Sequence, residues 1–285
     1  MSSDLNKPGS GVSSPYFTVF TPVFNGEKYL HRVFKSLKEQ EFRDYEWIVI
    51  NDGSTDGSAG LIRAFIEENK DINTVYIEQP NSGKHLSWNR AVEHARGRLF
   101  VPADADDYFF PDTLSFFFDR WAGLSEDDRS GLSGINVLCL DNDSDDIVGD
   151  PFPEDGMLST NIELEIRYRL KGEKWGCVRT VLLKERPFPI IKGSHFPESW
   201  LWYHFSKKYK AICFNKPLRR YYTTATGIMQ HELKKAHNPV QDRVNLKYYT
   251  WFLSNYGFYI LRHSPRIFSQ SVKIMLRSFY NLLKK

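Results

Sequence analysis

The chain has 285 residues, of which 41% are hydrophobic and 26% are charged, as is ordinary for a globular protein with a substantial core. This length suits one large α/β domain or two small ones, and the net charge of +3 is too small to indicate nucleic-acid binding by itself. Three widely spaced cysteines, Cys139, Cys177 and Cys213, form no CxxC pair, which argues against a disulfide framework or a zinc site and for a reducing compartment.

The first half of the chain alternates between strand and helix patterns. Apolar segments at residues 16–24, 46–50, 73–77 and 99–103 predict strands, and strands that are apolar almost throughout are typical of a parallel sheet covered on both faces. Such alternation gives right-handed βαβ units, so we expect an α/β fold with a mostly parallel, Rossmann-like sheet flanked by helices. Three helices are predicted between these strands. The first two carry apolar residues at helical spacing (Leu30, Val33, Phe34 and Leu37; then Leu61, Ile62, Phe65 and Ile66), and the third spans residues 84–96.

The second half is less regular, and no linker or composition shift divides the chain before about residue 235. We expect strands at 136–140, 211–214 and 218–222, a strand and a short helix within 172–183, and helices at 161–170 and 199–207. We therefore predict a disordered leader at 1–15, one domain at 16–235 and a helical, basic extension at 236–285.

The chain shows no sequence signal for export or membrane insertion. Its leader is rich in Ser, Gly and Pro and lacks the apolar core of a signal peptide. No uninterrupted apolar run reaches the ~18 residues of a transmembrane helix. We expect a cytoplasmic location.

The C-terminal extension predicts two helices broken at Ser264-Pro265. Residues 262–285 contain six Lys or Arg and no Asp or Glu, and their apolar residues recur every three or four positions. A basic amphipathic helix of this kind can lie on an anionic membrane at its inner face. Alternatively, the helix packs on its own domain and exposes a solvated basic face. The stripe consists of Phe268, Val272, Met275, Phe279 and Leu282.

Polar residues follow several predicted strands where those strands end, which is where ligands bind in parallel sheets. The Asp104-Ala105-Asp106-Asp107 segment follows the apolar strand at 99–101. Side chains two residues apart share a direction in an extended chain, so Asp104 and Asp106 are expected to face one space and Asp107 another. Two such carboxylates repel unless a cation separates them, and their hard oxygens suit Mn²⁺ or Mg²⁺. Alternatively, this is a solvated acidic turn.

Other nucleotide-binding classes lack their motifs here. A dinucleotide-binding Rossmann domain needs G-x-G-x-x-G after the first strand, which residues 22–26 do not supply, and the spacing of Gly53, Gly57 and Gly60 is a weak match in the wrong place. No G-x4-G-K-[ST] loop of a P-loop enzyme occurs in the sequence. The Gly-rich, Arg-containing loop of sugar-1-phosphate nucleotidyltransferases is also missing after the first strand.

Four segments occur in one order: Asn25-Gly26, residues 51–58, residues 81–89 with Asn81-Ser82-Gly83, and residues 104–107. Together they resemble the family 2 glycosyltransferases of the GT-A fold, bacterial enzymes that build capsule, lipopolysaccharide and other surface glycans. The resemblance is strong over residues 16–120. It continues more weakly through segments similar to one subgroup of the family, at 172–175, 196–199 and 207–209.

The resemblance implies a nucleotide-sugar donor. It places Thr21, Pro22, Phe24 and Asp52 at the base and ribose, with Glu27 nearby. An Asp carboxylate can accept the imide N–H of uracil, which favours a UDP-sugar and leaves dTDP and GDP open. The resemblance also implies that Lys84, just past Gly83, neutralises a phosphate, and that the D-x-D of Asp104, Ala105 and Asp106 holds Mn²⁺ or Mg²⁺ against the diphosphate, with Asp104 and Asp106 as the metal ligands.

The acidic base of the family, usually within an E-D pair, falls on Glu198, although the sequence here is Pro197-Glu198-Ser199. Family members also often carry a His near the Tyr-rich strand, and His231 is the nearest candidate. The resemblance thus implies a metal-dependent, inverting transfer of a sugar to a hydroxyl of a glycan or lipid-linked acceptor in surface polysaccharide synthesis. We assign no role to the remaining candidates His85, His94 and His195, and we expect no nucleic-acid partner.

Simpler interpretations of these residues stay open. Lys84 is alternatively a surface lysine at a helix start, Asp52 an Asx-turn residue before Ser54, and Trp175 and Trp202 core residues rather than sugar platforms. For the whole chain, the alternatives are an inactive protein that binds nucleotide-sugars or glycans, and a structural partner in a polysaccharide assembly complex. An absent base would mark the inactive protein, and Glu198 argues against that.

Overall fold

The structure, a computed structural model, describes residues 14–191, 193–194, 196–222 and 238–284. Most of the predicted leader, together with His195 and His231, lies outside these ranges. The strands are β1 (Phe17–Val23), β2 (Tyr45–Asn51), β3 (Asn73–Glu78), β4 (Leu99–Pro102), β5 (Tyr108–Phe109), β6 (Leu132–Asp141), β7 (Met157–Ser159), β8 (Lys174–Arg179) and β9 (Lys210–Tyr221). The α-helices are α1 (Leu30–Glu39), α2 (Ser58–Glu68), α3 (Lys84–His94), α4 (Thr113–Ala122), α5 (Glu126–Ser130), α6 (Thr180–Glu185), α7 (Ser199–Phe205), α8 (Pro239–His263) and α9 (Pro265–Leu283).

The nine strands of the described residues form one sheet, in the order β3-β2-β1-β4-β8-β6-β9-β5, with β7 paired to β9. The first four strands in this order are parallel, as the βαβ pattern predicts. Strand β8 runs antiparallel to both β4 and β6, and β9 runs parallel to β6. The predicted α/β class with a mostly parallel sheet flanked by helices is confirmed.

Helices cover both faces of the sheet because side chains alternate along each strand. On one face, Phe17 and Val19 of β1 pack with α1, α2 and α4. On the other face, Phe20 packs with α3, α6, α7 and α8. Every residue of β2 is buried, which explains its nearly continuous apolar sequence. The cysteines Cys139, Cys177 and Cys213 are buried and unpaired, as expected.

Two predicted elements differ in the structure. The two strands expected at 211–214 and 218–222 form the single strand β9, because register shifts against β6 carry the pairing past the intervening residues. The helix expected at 161–170 forms but ends earlier, at residue 167, and its segment Glu163–Arg167 is a π-helical turn. Arg169 has a left-handed backbone with φ of 57°, which stops the helix from continuing.

The two C-terminal helices and their break at Ser264-Pro265 are confirmed. Helix α8 enters the second core through Val244, Tyr248 and Phe252, and α9 lies against α8. Within the described part of the chain, no helix combines the length and the apolar character needed to cross a membrane.

Candidate active site

The loops that follow β1 and β2 are tied together by side-chain to backbone hydrogen bonds. The Asn25 side chain accepts a hydrogen bond from the Thr55 amide at 2.8 Å. Glu27 accepts from the Gly57 amide at 2.9 Å, and its own amide donates to Asp56 at 3.0 Å. Glu27 therefore connects the loop after β1 to the loop after β2. Its contact with the nucleotide stays a prediction.

Asp52 is nearly fully buried and holds the loop that leads into α3. One carboxylate oxygen accepts from the Gln79 side chain at 2.7 Å and from the Ser82 amide at 2.9 Å. The other oxygen accepts from the Gly83 amide at 2.8 Å. Asp52 is thus not the Asx-turn residue, since Asn51 accepts the hydrogen bond from the Ser54 amide. Its role here is to fix the start of α3, where Lys84 stands.

The three residues assigned at the end of β1 differ in their surroundings. Thr21 is fully buried, and its hydroxyl accepts a hydrogen bond from the indole N–H of Trp47 at 3.0 Å. The Thr21 side chain consequently lies in the core, so only its backbone could contact a ligand. Pro22 is half-buried and Phe24 is exposed, so both can contact a molecule at this edge of the sheet.

Lys84 joins the predicted metal ligand to the predicted base. Its Nζ lies 2.8 Å from a carboxylate oxygen of Asp104 and 2.9 Å from Oε1 of Glu198. With 21% of its side chain exposed, it is not the surface lysine of the alternative interpretation. The ammonium group of Lys84 therefore brings together three segments of the chain: the loop after β4, the start of α3 and the start of α7.

Electrostatics in this cluster favour the charged groups. Burial disfavours the ammonium of Lys84, but the carboxylates of Asp104 and Glu198 prevail and raise the pKa of Lys84 above its usual value. Burial likewise opposes the ionisation of Asp104, and Lys84 nevertheless holds the pKa of Asp104 below its usual value. The ammonium group of Lys84 is thus held between the carboxylates of Asp104 and Glu198.

Asp106 and Asp107 lie in different environments. Asp107 is buried and accepts a hydrogen bond from Nη1 of Arg219 at 2.9 Å, whereas Asp104 contacts Lys84. The expected alternation of an extended chain does not set these directions, because the segment forms a turn in which the Asp107 amide donates to the Asp104 carbonyl at 3.0 Å. Asp106 is half-buried, and burial together with the negative charge of Asp104 raises the pKa of Asp106. Asp106 therefore carries a repulsion that a cation would relieve.

The donor set fits a hard divalent cation that keeps open positions. Among the described residues, no group of three or more His, Cys, Asp or Glu side chains is arranged to hold a metal. The chain offers the two carboxylates of Asp104 and Asp106, whose charges repel. Mg²⁺ and related ions are commonly held by one or two carboxylates plus waters and phosphate oxygens, which matches this pair.

A cavity of about 120 Å³ extends from this cluster between the sheet and α7. Trp175 and Trp202 contact it, but Trp175 is 95% buried and donates its indole N–H to the Pro102 carbonyl at 2.6 Å, so it is mainly a core residue. Trp202 is half-buried and packs edge-on against Trp88. The cavity therefore joins the charged cluster to a polar and aromatic interior, lined also by Asn136, Asn161, Glu173, Lys174, Ser206 and Tyr209.

Arg219 supports the acidic segment and is absent from the sequence-based assignment. It is 96% buried, bonds Asp107 through Nη1, and lies 3.0 Å from Oε1 of Glu173 through Nη2. A buried carboxylate requires a compensating cation, so Asp107 implied such a partner. The sequence gives no means of choosing Arg219 over the adjacent Arg220, because the choice depends on which face of β9 turns inward.

Replacing Arg219 with Met is expected to lower the free energy of unfolding by about 3–5 kcal/mol, since it leaves the Asp107 carboxylate buried and uncompensated. Chemical denaturation of the full chain measures this. The control is Lys70→Met, which removes an exposed pair with Glu67 and should cost at most about 1 kcal/mol. Equal effects of the two substitutions would show that the Arg219 pair does not support the segment.

The sequence was compared with models of known protein families. The model of the family described as Glycosyl transferase family 2 matches residues 18–127, which include β1 to β4 and the Asp cluster. The chain is thus similar to the family 2 glycosyltransferases over residues 18–127. Its sheet and flanking helices are the GT-A fold that the resemblance implied.

Two relatives of the chain are named as glycosyltransferases. TuaG of Bacillus subtilis (strain 168), whose name proposes a glycosyltransferase of teichuronic acid biosynthesis, is 25% identical over 230 residues, covering 78% of this chain and 84% of TuaG. Glycosyltransferase GlyA of Streptococcus pneumoniae serotype 4 is 33% identical over 103 residues, covering 36% of this chain but only 14% of GlyA. The similarity to a protein named as a glycosyltransferase thus extends beyond the segment matched by the family model.

Two solved structures share the fold. Residues 1–349 of S. aureus TarS, in complex with UDP-GlcNAc, superpose with a TM-score of 0.60 at 20% identity, covering 92% of this chain and 71% of that one. The mannosyltransferase PcManGT from Pyrobaculum calidifontis, in complex with GDP-Man and Mn²⁺, gives a TM-score of 0.56 at 18% identity, covering 97% and 90% of the two chains. At these identities the likeness concerns the fold.

Proposed function

We propose that this glycosyltransferase moves a sugar, with inversion at its anomeric carbon, from a nucleotide-diphosphate sugar to a hydroxyl of a glycan or lipid-linked acceptor in surface polysaccharide synthesis. The observation that carries the proposal is the Lys84 ammonium, which contacts both Asp104 and Glu198. This arrangement places a cation for a diphosphate beside a carboxylate that can take a proton. The buried, unpaired cysteines agree with a cytoplasmic location.

The donor lies, in this proposal, along the ends of β1, β2 and β4. Pro22 and Phe24 contact the nucleotide, while Gly83 and Lys84 contact the phosphates. Asp52 already accepts three hydrogen bonds, and a carboxylate has about four acceptor positions, which leaves one for an imide N–H. This favours a UDP-sugar. TarS binds UDP-GlcNAc and PcManGT binds GDP-Man, so the fold accommodates both kinds of nucleotide.

Asp104 and Asp106 would hold Mn²⁺ or Mg²⁺. Such an ion supplies Lewis-acid stabilisation of negative charge on a leaving diphosphate. PcManGT was solved with Mn²⁺, which supports the choice of a divalent ion. Lys84 contributes a second positive charge, and its contact with Asp104 keeps that charge directed into the cleft.

Glu198 is the group that takes the acceptor proton. Inversion needs one displacement, in which the acceptor oxygen attacks the anomeric carbon while a base removes its proton. Glu198 occupies the N-cap position of α7, yet its side chain makes no capping hydrogen bond. The carboxylate instead turns toward Lys84 and the cavity, where it can meet an acceptor hydroxyl. The enclosing sheet and α7 align the two reactants.

Thermal denaturation with a panel of UDP-, dTDP- and GDP-sugars, each with and without Mn²⁺, tests the proposed donor. A ligand at 100 times its dissociation constant stabilises the folded state by about 2.7 kcal/mol, a clear rise in melting temperature. We expect a rise for at least one UDP-sugar that is larger with Mn²⁺. No rise with any nucleotide-sugar would contradict the proposal, and a rise without turnover would indicate an inactive binding protein.

A further inference from the structure

We propose that the exposed face of α9 binds the surface of an anionic lipid bilayer and holds the mouth of the cleft beside that surface. The binding itself is independent of the sugar transfer, but its consequence, access to lipid-linked acceptors, rests on the proposed function.

Helix α9 has two unlike faces. Its inner face carries small residues, Ser271 and Ser278, which are 2% and 1% exposed and allow α9 to lie close to α8. Its outer face carries four large apolar side chains within eight residues. Single exposed apolar residues are ordinary on a protein surface, whereas a cluster of this kind marks a binding surface. These residues, called the stripe from here on, are Leu276, Phe279, Tyr280 and Leu283, with exposed fractions of 55%, 50%, 57% and 67%. Of the stripe predicted from the sequence, only Phe279 is exposed, and Phe268, Val272, Met275 and Leu282 are half-buried.

The charges on this outer face have one sign. Arg266, Lys273, Arg277 and Lys284 are all exposed, and α9 contains no Asp or Glu. None of the four cations forms a salt bridge with an acid among the described residues. Basic residues flanking an apolar stripe complement anionic head groups above an acyl layer.

A chain of contacts connects the C-terminal end of α9 to the start of α3, where Lys84 lies. Near the C-terminal end of α9, Asn281 donates a hydrogen bond to Asp242 at the start of α8. Asn238, which caps α8, contacts the Gly193 carbonyl at 3.3 Å. The same loop approaches the start of α3, since a ring nitrogen of His85 lies 3.0 Å from the Ile191 carbonyl. Lys84 precedes His85, so the stripe and the charged cluster are linked through one loop.

Charge favours a bilayer over a second copy of this chain. An isologous contact through α9 would bring two identical sets of four cations together and would need a source of negative charge that this face lacks. Anionic lipids supply that charge, and the four side chains of the stripe can insert between head groups. The geometry therefore points to a lipid surface as the occupant.

Co-sedimentation of the full chain with vesicles tests the surface. Vesicles of phosphatidylcholine with phosphatidylglycerol are compared with pure phosphatidylcholine at low salt, without any nucleotide-sugar. One variant replaces the apolar stripe (L276S, F279S, Y280S, L283S) and another reverses the charges (R266E, K273E, R277E, K284E). Every changed side chain is exposed, so both variants should fold, which circular dichroism checks. Controls are L158S with I190S, and K70E with K184E, at exposed positions elsewhere.

We expect the wild-type chain and both controls to bind the anionic vesicles and to be released by salt. Each cation near such a surface contributes roughly fivefold to partitioning, so the charge variant should bind about 100-fold more weakly or worse. The apolar variant should also lose most binding. The proposal is overturned if the wild-type chain does not bind anionic vesicles, or if both variants sediment with them like the wild-type chain. It is also overturned if the stripe variant converts a dimer in solution to a monomer without altering vesicle binding.

Discussion

Replacing Glu198 with Gln is expected to lower the rate of sugar transfer by about 10²–10⁴-fold, the usual contribution of a positioned general base. Gln keeps the size and hydrogen-bonding capacity of Glu but removes its basic oxygen. Donor affinity and melting temperature should change little, because Glu198 makes no capping hydrogen bond to α7 and stands opposite Lys84 rather than in the core. Steady-state turnover and donor titration of both proteins measure this separation.

The control for that substitution is Glu185→Gln, at the exposed end of α6, which should leave turnover unchanged. If the Glu198 variant keeps more than about a tenth of wild-type transfer, Glu198 is not the base. A fall in melting temperature with turnover preserved would instead give Glu198 a structural role at the start of α7.

Replacing Asp106 with Ala is expected to abolish Mn²⁺-dependent donor binding while the fold persists. Asp106 is half-buried beside the negative charge of Asp104, and these two causes raise its pKa, so a bound cation would favour its ionised form. Replacing Asp104 with Ala should weaken donor binding less completely, because Lys84 then remains beside Glu198 to meet the diphosphate. Calorimetric titration of a nucleoside diphosphate with and without Mn²⁺ measures binding directly, without relying on turnover.

The control here is Asp143→Ala, in an exposed acidic turn far from α3 in the chain. It should bind the nucleotide and Mn²⁺ like wild type. Wild-type metal-dependent affinity in the Asp106 variant would remove this residue from the metal site, and a collapsed circular dichroism spectrum would give it a role in folding.

Local patterns in the sequence were sufficient to predict the first half of the fold. Continuous apolar strands alternate there with helices of clear periodicity, and β1 to β4 with α1 to α3 lie within a few residues of their predicted bounds. These features depend on neighbours in the chain.

The features of the site that the sequence did not predict depend on contacts between residues that are far apart in the chain. The meeting of Lys84 with Glu198 depends on where α7 lies over the sheet, and no spacing in the sequence encodes that position. Thr21 was assigned to the ligand site by its place at the end of β1, but its side chain turns to the core face and bonds Trp47. Asp52 was assigned to the nucleotide, while the structure shows its carboxylate ordering the loop before Lys84.

In the proposed mechanism, four residues form one site of sugar transfer: Lys84, Asp104, Asp106 and Glu198. The most direct test measures release of nucleoside diphosphate by the purified full chain from each nucleotide-sugar, with Mn²⁺ and after its removal by a chelator. We expect release from at least one UDP-sugar that depends on the metal and is lost in the Glu198→Gln protein, although that protein still binds the donor. Release that persists unchanged in the Gln variant, or no release from any nucleotide-sugar that the wild-type chain binds, would contradict it.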